Sequence, residues 1–93
     1  MQNLYRQLAA LARQYGAHKL VLFGSRARGD NGPRSDIDLA VYGMPSQNLP
    51  LFRLGADELP TLLTFDIVAI REGMDENFLH NIEKDGVTLY EQN

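Results

Sequence analysis

A chain of 93 residues with 44% hydrophobic and 23% charged residues has the size and balance of one globular domain and not the profile of a disordered chain. The lack of cysteine excludes a disulfide scaffold, thiolate zinc sites and a cysteine nucleophile, and a net charge of -3 disfavours nonspecific binding to phosphate backbones. A domain this small has a thin stability margin to which a partner can contribute, and with no signal-type apolar segment and no stretch of ~20 apolar residues a cytoplasmic location is expected.

Leu4, Leu8, Leu11, Ala12 and Tyr15 recur at helical spacing, so residues 2 to 15 are expected to form an amphipathic helix that Gly16 ends. Leu20 to Phe23 form a short apolar run closed by Gly24, which suits a buried strand over Lys19 to Phe23. The next stretch, Gly24 to Pro33, holds three glycines, three charges and a proline, with room for one helical turn at Ser25 to Arg28. From Asp36 to Val41 the period becomes two: Asp36 and Asp38 alternate with Ile37, Leu39 and Val41, giving a strand with one charged and one apolar face. Gly43 to Asn48 is linker-like but too short to separate domains. Pro50 fits the first turn of a helix that runs to about Leu59, where Pro60 stops it. Phe65 to Ile70 returns to strand composition, apolar except for Asp66, and is expected to be buried on much of both faces. Asp75 can cap a helix through Phe78, Leu79 and Ile82 that Gly86 stops, and Val87 and Leu89 predict a last short strand. The expected fold is α+β, one domain over residues 1 to 93 with helices packed on a small mixed sheet.

Three features of this order carry chemistry. Asp36 and Asp38 point to the same side of their strand about 6.5 Å apart, within reach of a shared cation, although an Asp-x-Asp alone reads first as a solvent-facing edge or turn. Asp66, lone in an apolar strand, would be costly to bury unless a cation or hydrogen-bond donors met it. Oxygen-only ligands with few histidines suit a hard cation such as Mg²⁺, which completes its shell with water and substrate phosphate. Gly24 directly after a buried strand lets the backbone approach a ligand, and the Ser25 hydroxyl and following N–H groups can donate to phosphate oxygens. Arg26, Arg28 and Arg34 add positive charge there, although each taken singly reads first as a solvated loop residue. Isolated His18 and His80 are assigned no role, and Tyr42 is read as packing on the sheet surface before contact with a base.

Gly24-Ser25-Arg26-Ala27-Arg28-Gly29, Ser35-Asp36-Ile37-Asp38-Leu39-Ala40-Val41 and Phe65-Asp66-Ile67-Val68 resemble the signature of the minimal nucleotidyltransferase (MNT) family of the DNA polymerase β superfamily. The family pattern is Gly-Ser, ten residues, Asp-x-Asp, and here the ten are Arg26 to Ser35. Lys84 to Tyr90 is similar to the family's last helix and strand, so the resemblance spans nearly the whole chain. It implies the nucleotidyltransferase, polymerase β-like palm fold. It implies that the Gly24-Ser25 loop, with Arg26 and Arg28, binds the nucleotide. Asp36 and Asp38 would bind two Mg²⁺ ions, and Asp66 would ligate the catalytic one and help deprotonate the acceptor, with ATP as substrate.

With three residues after Tyr90, the acceptor is expected to come on another molecule. Small MNT proteins are typically paired with helical HEPN proteins, many resembling RNase toxins, so the resemblance implies an antitoxin that transfers AMP to a hydroxyl, a tyrosine above all, of such a partner in a hetero-oligomer. The alternative is a family member that neutralises its HEPN partner by binding alone. Modification of a small molecule such as an aminoglycoside is a weaker third reading, because it needs an acceptor pocket.

Overall fold

A computed structural model describes residues 2–93 as four helices and four strands around one sheet. In chain order these are α1 (Gln2–Gln14), β1 (Lys19–Phe23), α2 (Ser25–Arg28), β2 (Ile37–Tyr42), a 3-10 turn (Ser46–Asn48), α3 (Leu49–Asp57), β3 (Phe65–Ile70), α4 (Glu76–Asp85) and β4 (Val87–Glu91). The expected elements are all present, within a few residues of the expected bounds.

Local chemistry accounts for most boundaries. Gly16 follows α1 at φ +83, a left-handed value that ordinary side chains resist. Pro50 sits in the first turn of α3, where its missing N–H has no helical partner to lose. The Asp75 carboxylate accepts from the Asn77 N–H and caps α4. Gly86 ends α4 for a different reason from the one usual at helix ends: its backbone is extended, and a side chain there would stand 2.6 Å from Val21 Cγ1. Tight packing, not a left-handed turn, requires glycine at that position.

The sheet order is β3-β2-β1-β4, with β1 antiparallel to both β2 and β4 and β2 parallel to β3. Leu20, Leu22, Ile37, Leu39, Val41 and Ile67 face one side of it, where α1 and α3 cover them with Leu4, Leu8, Ala12, Phe52 and Ala56. On the other side Val21 and Ala40 meet Ile82 of α4, with Phe23, Tyr42, Ile70 and Phe78 only partly buried around them. One element differs from expectation. β3 is an edge strand, Ile67 is its only buried residue, and Asp66 is exposed. The apolar composition of β3 therefore does not signal burial on both faces: at the sheet edge the helices cover it only in part, with Phe65 and Ile70 half-buried on the two core clusters, and the expected desolvation of Asp66 does not arise.

No helix among the described residues is long and apolar enough to cross a membrane.

Candidate active site

Strand direction brings the motifs together. β1 runs toward Phe23, and β2 and β3 both start where β1 stops, so the Gly24-Ser25 turn and the three aspartates collect at one end of the sheet. Phe23 pairs with Asp38, and Asp38 pairs with Asp66. In a parallel pair, residues in register lie about 4.8 Å apart and point to the same face, so Asp38 and Asp66 are side by side. Asp36 precedes β2 by one residue and is exposed at the strand entry.

Gly24 is specified twice. Its φ is +75, and a side chain on it would run into the Asp38 carboxylate, whose Cγ would be 3.1 Å from the added carbon. The turn and the aspartate strand thus approach more closely than any other residue would permit. Gly24 leads into α2, and Gly29, at φ +85, closes that turn with its N–H donating to the Ser25 carbonyl at 2.9 Å.

Partial burial, and then the like charges of Asp66 and Asp36, push the Asp38 carboxyl above its ordinary value, with Arg28 pulling it back. Asp38 therefore lies within electrostatic reach of both other carboxylates. Among the described residues, however, no three His, Cys, Asp or Glu side chains are gathered closely enough to hold a metal ion as they stand. The Thr64 hydroxyl donates to Asp36 Oδ1. The donor chemistry fits a hard divalent cation, being three carboxylates at one sheet end, and such a cation would offset the burial and the like charges that raise Asp38.

The arginines divide. Arg26 donates from Nε to the Ser35 carbonyl at 3.0 Å and from its guanidinium to the Pro33 carbonyl at 3.5 Å, so it braces the loop that enters β2. Arg28 is exposed and bridges to Asp30 at 3.1 Å and to Asp85 at 3.9 Å. Arg34 is exposed and lines a cleft of about 540 Å³ with Pro33, Leu62, Leu63 and Thr64. A second hollow of about 410 Å³ opens between Phe23, Gly24, Arg28 and the α4 residues Phe78, Ile82 and Asp85.

Sequence reasoning missed Thr64. The signal was available, since alternation places residues 64 and 66 on the same side of one extended segment. Asp30 and Asp85 were missed as partners of Arg28, and no local pattern announces them.

None of the curated proteins compared with the chain matches it. Two solved structures are similar in fold. A chain from the crystal structure of a toxin-antitoxin with AMP-PNP superposes with a TM-score of 0.74 at 21% identity, over 96% of this chain and 74% of that one. A structure from Sulfolobus solfataricus described as a nucleotidyltransferase gives a TM-score of 0.56 at 22% identity, over 99% of this chain and 81% of that one. The family model for polymerase beta nucleotidyltransferases matches residues 6–93, which takes in the glycine-serine turn and all three aspartates. The expected palm-like α+β fold is thus met, and the chain belongs to the polymerase beta nucleotidyltransferase family.

Proposed function

We propose that this protein is a Mg²⁺-dependent adenylyltransferase that moves AMP from ATP onto a hydroxyl, a tyrosine above all, of a HEPN-type partner and so acts as the antitoxin of a minimal nucleotidyltransferase pair. The observation that carries the reading is the register of Asp38 against Asp66 beneath Gly24, which sets two carboxylates next to a turn able to receive phosphate. The similar toxin-antitoxin structure with AMP-PNP, an ATP analogue, supports the substrate and the kind of partner.

Each residue then has a task. Gly24 lets the phosphates come close to the backbone, and the Ser25 hydroxyl and first-turn N–H groups of α2 donate to the β and γ phosphates. Arg28, exposed and within electrostatic reach of Asp38, would exchange Asp30 and Asp85 for phosphate, while Arg26 holds the β2 entry loop. Asp36, Asp38 and Asp66 would hold two Mg²⁺ ions, which when bound neutralise phosphate charge and stabilise the attacking and leaving oxygens. Asp66, exposed on the edge strand, accepts the acceptor proton. The acceptor oxygen bonds to the α phosphorus as the bond to the bridging oxygen breaks, and pyrophosphate leaves.

The test is the mass of a HEPN-type partner after incubation with ATP and Mg²⁺. Wild type should add one AMP unit, and Asp66→Asn, which keeps size and hydrogen bonding but loses the charge, should bind the partner yet transfer at least about a hundredfold more slowly. Protection from the partner without any mass increase would leave neutralisation by binding alone as the function.

A further inference from the structure

We propose that Thr64 is the positioning residue of the divalent-cation site: its hydroxyl holds one oxygen of Asp36 and leaves the other free to take a cation together with Asp38. The inference rests on the nucleotidyltransferase reading and adds a residue outside the glycine-serine and aspartate motifs.

Two hydrogen bonds join Thr64 to the entry of β2. Its carbonyl accepts from the Ile37 N–H at 2.9 Å, and its hydroxyl donates to Asp36 Oδ1. The first bond anchors the donor to the first residue of β2, next to the carboxylate that the second bond holds. Thr64 also closes a loop with its own internal ties, since the Leu63 N–H donates to Thr61 Oγ1 at 3.1 Å and the Thr61 N–H to the Leu59 carbonyl at 2.8 Å. A β-branched side chain on an anchored backbone has few rotamers, so the hydroxyl has a defined place.

Asp36 needs such a holder. It is exposed, one residue before the strand, and bears the same charge as Asp38 and Asp66. Unheld, it would sample several rotamers, and repulsion would favour those that point away from its neighbours. A hydrogen bond from a hydroxyl to a carboxylate is charge-assisted and stronger than a neutral one. It consumes one of the two carboxylate oxygens and keeps the negative charge at the sheet end. Groups that hydrogen-bond a metal-ligating carboxylate fix its orientation, and their loss typically costs ten- to a hundredfold in metal affinity.

The experiment is calorimetry of ATP binding to the full chain across a Mg²⁺ series, with EDTA as baseline. Thr64→Val keeps the shape without the hydroxyl and should raise the Mg²⁺ needed for half-maximal binding about tenfold. Thr64→Ala should match it, and Thr64→Ser, which keeps the hydroxyl, should return most of the wild-type affinity. ATP binding in EDTA should be the same for all four proteins. A wild-type Mg²⁺ requirement in Thr64→Val, a Thr64→Ser as impaired as Thr64→Val, or an equal loss of ATP affinity in EDTA would each overturn the role. If wild type itself shows no Mg²⁺-dependent binding, the failure lies in the nucleotidyltransferase reading and is visible before any variant is made.

Discussion

The two faces of the sheet differ in what they are for. On one, Leu20, Leu22, Ile37, Leu39, Val41 and Ile67 are sealed by two helices, and Phe52 and Leu8 are fully buried between them. On the other, a single helix covers Val21 and Ala40, while Phe23, Tyr42 and Ile70 stay partly open and Asp38 and Asp66 emerge beyond its reach. β2 belongs to both. Its odd-numbered residues from Ile37 to Val41 make the core, and its even-numbered residues start with the carboxylate that Gly24 packs against. A strand with period two can serve stability and chemistry at once because a substitution on one face leaves the other in place.

Breaking the sealed face should have the largest effect. Phe52→Ala removes a fully buried α3 ring from the core that α1 and α3 form on the sheet and should cost about 3–5 kcal/mol, a large part of the stability of a domain this size. Chemical denaturation would show this as a lower midpoint, and a fall below about 1 kcal/mol would mean that the core is far looser than its packing indicates.

A smaller, mixed effect is expected at the junction of the two faces. Gly24→Ala must adopt a positive φ and push the Asp38 carboxylate away, at a cost of about 1–3 kcal/mol. ATP binding in Mg²⁺ should fall far more than this loss of stability explains. If calorimetry finds full ATP affinity in a folded Gly24→Ala, the close approach of turn and aspartate has no part in binding.

The smallest effect has the opposite sign. Asp38 is held above its ordinary value of 3.8, first by burial and then by Asp66 and Asp36, so the folded protein binds its proton more tightly than the unfolded chain does. Its contribution to stability is complete below the ordinary value and is lost as pH rises through the raised one. At neutral pH without Mg²⁺, Asp38→Asn should therefore raise Tm by a few degrees at most, corresponding to less than about 1 kcal/mol for a solvent-screened group. The gain should vanish near pH 3 while Mg²⁺-dependent ATP binding is lost at every pH. Equal Tm differences at both pH values would show that charge is not the cause.

What was legible in the sequence was everything set by near neighbours along the chain. The alternation of Asp36 and Asp38 with Ile37, Leu39 and Val41 fixes which face each side chain takes, Gly16 and Asp75 mark helix ends by local backbone and hydrogen-bond chemistry, and Gly24 closes the apolar run Leu20 to Phe23. Only the tertiary structure decided strand order and direction. Because β3 lies at the edge and parallel to β2, Asp66 is both in register with Asp38 and exposed, a result that its apolar surroundings in the sequence argued against. The same packing chose the carbonyls of Ser35 and Pro33 as acceptors for Arg26 and Asp36 as the acceptor for Thr64. Such pairings join residues between 7 and 28 positions apart, and they depend on which faces bury together, a property of the assembled sheet and not of any short stretch of chain.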